Sequence, residues 1–129
     1  MSNQPLILIV DDEPDFLEIF GIKLTSAGFR VETAGSAKEG IKKAEGLKPD
    51  LILMDVNMPT MNGAAAALRL KDNPETKNIK IVFLSALGGP QQEIQELNSR
   101  FAKETGAKGY IKKTEDLDAV VDKIRGFLR

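Results

Sequence analysis

Hydrophobic and polar positions along this chain follow two alternating habits. Residues 6–10 (LILIV), 51–54 (LILM) and 79–84 (IKIVFL) are short, largely apolar runs without strict alternation, as expected of parallel strands covered on both faces. Residues 29–34 and 107–111 are read as two further strands. Between them the period changes to that of a helix. Pro14 suits a first helical turn, and Phe16, Phe20 and Leu24 recur at i, i+4, i+8, with Leu17 and Ala27 widening the face and Gly28 as the stop. Ser36 and Glu39 have capping-box spacing, and Ile41, Ala44 and Leu47 share one face of the helix that follows. Residues 64–71 begin with an alanine run that favours a short helix, which Asp72-Asn73-Pro74 ends. Pro90 opens a fourth helix, with Ile94, Leu97 and Phe101 inward, up to Gly106. Thr114 is the expected N-cap of a last helix carrying Leu117, Val120, Val121, Ile124 and Leu128 inward; its acidic residues fall at the positive end and Arg125 and Arg129 at the negative end.

This succession is five βα units. Right-handed crossovers and coverage of both sheet faces favour a doubly wound five-stranded parallel α/β sheet, most simply in the order 2-1-3-4-5. A dinucleotide-binding sheet lacks support, because no G-x-G-x-x-G follows the first strand and no G-x-x-x-x-G-K-[ST] occurs anywhere.

Composition narrows the chemistry. A chain of 129 residues is read as one domain, residues 1–129, with no further output domain expected within it. With 18 basic and 19 acidic residues the net charge is -1, so no global electrostatic case exists for direct nucleic-acid or membrane binding. The aliphatic run 6–10 is too short to span a bilayer, and it lacks the basic flank of a signal peptide. The absence of Cys fits a cytoplasmic protein. The absence of His is more informative, since it removes Ser-His nucleophile activation and imidazole metal ligands.

What remains converges on one rim. Strand one ends in Asp11-Asp12, strand three in Asp55, strand four in Ser85 and strand five in Lys112-Lys113. Each has an ordinary explanation alone: Asp11 and Asp12 as helix caps, Asp55 as a turn residue, Ser85 as a loop hydroxyl, the lysines as a solvated strand end. In the order 2-1-3-4-5, however, all four ends are neighbours at the carboxyl edge of the sheet, where open α/β folds bind ligands. Three converging carboxylates repel one another unless a cation sits among them. An all-oxygen donor set suits Mg²⁺, which shares its coordination with waters and phosphate. A lysine and a hydroxyl beside it can pair with phosphate oxygens. This is equipment for in-line phosphoryl transfer, and Asp55, the central carboxylate, is the best candidate nucleophile.

The segments VDDEP, LILMDVNMPTMNG, FLSA and GYIKK, in this order and at strand ends, make the chain resemble a receiver domain of bacterial two-component response regulators, with a flavodoxin-like (βα)5 fold. The resemblance runs end to end. It implies that Asp55 accepts a phosphoryl group as an acyl phosphate, from a sensor histidine kinase or a histidine phosphotransfer domain. It also implies that Asp11, Asp12, Asp55 and the backbone carbonyl of Asn57 hold Mg²⁺. Ser85 matches the switch hydroxyl, Tyr110 the switch aromatic, and Lys113, three residues after Tyr110, the phosphate-pairing lysine. A downstream protein target would then bind the surface of the fourth helix, fifth strand and last helix. Such a domain assists its own phosphorylation and dephosphorylation without being an enzyme for an external substrate. The pattern departs where the family usually has Pro after its lysine, often in a cis peptide, since Thr114 follows Lys113. A haloacid-dehalogenase-type phosphohydrolase would need its nucleophile after the first strand and a second Asp two residues on, where this chain has Asn57. A flavodoxin-like binding module would account for the fold but not for the acidic cluster.

Overall fold

The computed structural model describes residues 4–56, 58, 61, 63–85 and 106–129. Strands β1 (Leu6–Val10), β2 (Arg30–Ala34), β3 (Leu51–Asp55), β4 (Lys80–Ser85) and β5 (Gly109–Lys112) form one parallel sheet in the order β2-β1-β3-β4-β5. Helices α1 (Pro14–Ser26), α2 (Ala37–Leu47), α3 (Gly63–Asp72) and a C-terminal helix, Leu117–Leu128, cover it. The fourth helix expected from the sequence lies outside the described residues.

The two faces follow from strand alternation. Ile7, Ile9, Leu51, Leu53, Val82 and Leu84 point into a core shared with Phe20 and Leu24 of α1 and with Val120 and Ile124 of the C-terminal helix. Their neighbours Leu8, Val10, Ile52, Met54, Ile81 and Phe83 point the other way, onto Ala37 and Ala44 of α2 and Ala66, Ala67 and Leu70 of α3. The small side chains of α3 let its axis lie close to the sheet, as the alanine run predicts. Every residue of β1 and β3 is buried, which explains their unalternating sequences. Edge strand β2 is buried only at alternate positions or less, so its sequence mixes Arg30 and Glu32 with Val31.

Local details depart from the sequence expectations in two places. The last helix begins at Leu117 with Asp116 as N-cap, whose carboxylate accepts from the Ala119 N–H at 3.2 Å. Thr114 instead lies in a turn closed by the Glu115 N–H donating to the Lys112 carbonyl at 3.0 Å. Leu47, expected on the inward face of α2, is 45% exposed, because the helix ends there and Lys48 turns the chain away with φ 49°. The Ser36 cap is as expected: its hydroxyl accepts from the Glu39 N–H at 3.2 Å. Glu39 reaches back to the N–H of Gly35, one residue before the cap, at 2.7 Å.

Two glycines of α2 have opposite surroundings, and substitution should separate them. A Cβ on Gly40 would lie 2.7 and 2.9 Å from the methyl carbons of Val10, a stiff and fully buried side chain. The clash outweighs the roughly 1 kcal/mol of helix propensity that alanine brings, so Gly40→Ala should lose about 1–2 kcal/mol in urea unfolding. A Cβ on Gly46 meets nothing within 4 Å. Gly46→Ala should therefore gain a few tenths to about 1 kcal/mol. Equal signs for the two variants would contradict this packing.

Candidate phosphoryl-transfer site

Strand register brings the site together. Val10 pairs with Met54, so Asp11 and Asp55, the next residues, leave adjacent parallel strands side by side. Asp55 pairs with Leu84, and Ser85 follows. Ser85 in turn pairs with Lys112, and the next residue, Lys113, donates its backbone N–H to the Ser85 carbonyl at 2.9 Å. Asp11 is fully buried, Asp55 and Ser85 nearly so, and Asp12 is exposed at the mouth.

Gly63 sets how closely α3 approaches. Its N–H donates to the Val56 carbonyl at 3.1 Å, and a Cβ there would stand 2.2 Å from the Asp55 carbonyl oxygen. That oxygen is backbone and cannot yield, so the start of α3 can lie against Asp55 only with glycine at this position.

Lys113 gathers the charges. Its ammonium lies 2.8 Å from Asp11 Oδ2, against Glu13 Oε1, and 3.9 Å from Asp55 Oδ2. Its ammonium also sits over the Phe16 ring, 4.5 Å from the centroid. The contact with Asp11 is an ion pair without hydrogen-bond alignment, so Asp11 Oδ2 is buried with no hydrogen-bond donor. Asp11 Oδ1 accepts the Glu13 N–H at 2.8 Å. Burial pushes the Asp11 carboxyl above its ordinary range, and the nearby ammonium and the Glu13 N–H only partly offset this. Burial works against the charged form of Lys113 as well, but contact with Asp11 and Glu13 outweighs it and raises the lysine pKa.

These residues fit a hard divalent cation. One carboxylate oxygen from each of Asp11, Asp12 and Asp55 lies within 4.8 Å of the other two. The donors are all oxygen, and the orphaned Asp11 oxygen is an available lone-pair donor in a place where water does not reach. Asn57, expected to add a backbone carbonyl, lies outside the described residues.

The other expected residues stand as follows. Ser85 is buried at the end of β4, beside the Asp55 strand. Tyr110 is half-buried on edge strand β5, pairs in register with Phe83 and packs against the α2–α3 core. Among the described residues no peptide bond is cis, so Lys113 and Thr114 are joined in trans. Sequence reasoning missed three contributors. Glu13 belonged to the acidic run but carried no sign of its partner a hundred positions away. Phe16 was read only as core. Gly63 entered only as the last residue of the LILMDVNMPTMNG segment.

Comparison with known proteins agrees with this arrangement. The family model for the response regulator receiver domain matches residues 7–125. The chain is 34% identical over 125 residues to the DNA-binding dual master transcriptional regulator RpaA of Synechocystis sp., covering 97% of this chain and 49% of that protein. It is 35% identical over 123 residues to the phosphate regulon transcriptional regulatory protein PhoB of Pseudomonas aeruginosa, covering 95% of this chain and 51% of that protein. The chain thus spans about half the length of these relatives. Among solved structures, the chemotaxis protein CheY4 of Vibrio cholerae superposes with a TM-score of 0.83 at 26% identity, covering 96% of this chain and 98% of that one.

Removing the lysine should expose the cost of the acidic cluster. In Lys113→Met the metal-free protein keeps buried Asp11 and Asp55 without their cation. It should lose about 1–3 kcal/mol, less than a fully enclosed pair because the mouth admits solvent. Mg²⁺ should then stabilise this variant more than the parent in thermal melts. An unchanged metal-free melting temperature would mean that Lys113 does not compensate these carboxylates.

Proposed function

This chain belongs to the response regulator receiver domain family, and on that premise we propose that Asp55 is its phosphoacceptor. Receiver domains are the phosphoacceptor signalling domains of two-component systems; they interact with histidine kinases and downstream effectors and generally use Mg²⁺. The observation that carries the assignment is the placement of Asp55: nearly buried at the centre of the rim, flanked by Asp11 on β1 and within 3.9 Å of the Lys113 ammonium. An Asp55 oxygen attacks the phosphorus of a phosphohistidine on a sensor kinase or histidine phosphotransfer domain. The P–N bond breaks, and the imidazole leaves with a proton from solvent. An external donor is required, because this chain has no His.

Asp11, Asp12, Asp55 and the Asn57 carbonyl would hold Mg²⁺, which would supply neutralisation of the charge that builds on the transferring phosphoryl oxygens. Lys113 pairs with one of those oxygens and the Ser85 hydroxyl donates to another. The same groups allow the domain to assist its own dephosphorylation, with no external substrate turned over. Ser85 drawn toward the phosphoryl group vacates space beside β5, which Tyr110 can enter. The readout then falls on the surface of the fourth predicted helix, β5 and the C-terminal helix, where a downstream protein binds. The net charge of -1 gives no global electrostatic case for nucleic acid or membrane, so a protein partner is the reading proposed. No helix among the described residues is long and apolar enough to cross a membrane; a cytoplasmic site of action is part of this proposal.

Asp55→Asn should abolish hydroxylamine-sensitive labelling by a small acyl-phosphate donor with Mg²⁺ while leaving the melting transition cooperative. Undiminished labelling would remove Asp55 from the role. Asp12→Asn should weaken Mg²⁺ binding and, by relieving repulsion, leave the metal-free protein as stable or more so. Equal Mg²⁺-dependent shifts in melting temperature for parent and variant would take Asp12 out of the metal site.

A further inference from the structure

Glu13 occupies an unusual place at the start of α1. It is the N-cap residue, yet its carboxylate makes no cap hydrogen bond to the helix. Glutamate is not among the preferred caps, and Ser, Thr, Asp or Asn would satisfy an orphan N–H here. The Glu13 N–H is instead turned back onto Asp11 Oδ1, and the carboxylate lies against the Lys113 ammonium. Glu13 is 64% exposed, whereas the Lys113 side chain it holds is only 9% exposed.

Lys113 cannot serve all its partners in every state. Its ammonium is paired with Asp11 and Glu13, with Asp55 Oδ2 further off at 3.9 Å, and Phe16 fixes the side from which the ammonium approaches. A cation held by Asp11, Asp12 and Asp55 would compete with the ammonium for the Asp11 carboxylate. Glu13 is outside the three-carboxylate group and keeps its hold. A phosphoryl group on Asp55 would therefore compete with Glu13 for the same ammonium.

We propose that Glu13 is a positioning residue that holds Lys113 back from Asp55 in the unphosphorylated state, and so sets how tightly the site takes a phosphoryl group. This rests on the assignment of Asp55 and Lys113 above. Glu13 touches neither the acceptor nor the transferred group. It acts through the lysine, as a restraint that the phosphoryl group must displace. The pair is partly open to solvent, so the restraint is modest, worth about two- to five-fold in affinity.

The test uses Glu13→Gln, which keeps shape and removes charge, with Asp15→Asn as a control for charge alone, since Asp15 is an exposed acidic residue in the first turn of the same helix. Two readouts are needed. In metal-free protein, the Lys113 ε-methylene protons should be shifted upfield by the Phe16 ring. Glu13→Gln should move them toward the value of a free lysine, and Asp15→Asn should not. At saturating Mg²⁺, Glu13→Gln should bind the phosphoryl analogue beryllofluoride about two- to five-fold more tightly than the parent, and Asp15→Asn about as tightly as the parent. The inference is overturned if Glu13→Gln leaves the lysine resonances in place. It is overturned equally if the variant binds beryllofluoride no better than the parent, or if Asp15→Asn gives the same gain. A parent protein that binds no beryllofluoride would refute the phosphoacceptor reading itself, and this inference with it.

Discussion

Two carboxylates leave adjacent strands almost without access to water, and one ammonium makes that tolerable. Asp11 and Asp55 are set side by side by the β1–β3 register, which is itself held by strands buried along their whole length. Lys113 answers them from the far side of the rim, and its place comes from a third register, through the hydrogen bond from its N–H to the Ser85 carbonyl. The site is thus a consequence of sheet order. A parallel sheet that did not keep β1, β3, β4 and β5 in succession would separate these strand ends.

The arrangement is not the most stable one the fold could hold. Asp11 keeps an oxygen without a hydrogen-bond donor in a buried position, and its carboxyl is pushed above its ordinary range. Sites of function are where such local rules are expected to break, because the groups are placed for a ligand and not for the empty protein. The surroundings compensate by being conventional. Both faces of the sheet are filled by aliphatic side chains, and the small residues of α3 allow close packing where the site needs its start against Asp55. Rigidity behind the rim is what lets the rim itself carry strain.

Most of this was legible in the sequence, for identifiable reasons. Strand positions could be read because fully buried parallel strands are apolar throughout, and helices because Phe16, Phe20 and Leu24, or Val120, Val121 and Ile124, repeat with helical period. Asp11, Asp12, Asp55, Ser85 and Lys113 could be read together because topology alone brings strand ends to one edge. What sequence did not reveal depends on local backbone or on long-range reach. Asp116 and Thr114 are both plausible caps, and the choice between them is made by a turn at Lys112–Glu115 that has no strong signature. Leu47 fits the helical period but falls at a helix end, where the period no longer decides burial. Glu13 and Lys113 are far apart in the chain, and nothing in either segment announces their contact. Gly63 sits among turn-forming residues that disguise its packing role.

Charge balance also explains why metal and phosphoryl group should depend on each other here. Asp11, Asp12 and Asp55 against Lys113 leave the cluster with two net negative charges, before Glu13 is counted. A divalent cation held there would cancel them, and would let a dianionic phosphoryl group approach that the bare carboxylates would repel. Such a group would in turn restore negative charge beside the cation. By linkage, whatever factor one adds to the affinity of the other is returned in equal measure. Lys113 enters this balance as the fixed positive charge, always present but divided among partners. Its apportioning among Asp11, Glu13 and Asp55 is therefore the adjustable quantity in a site whose other charges are set by the sheet.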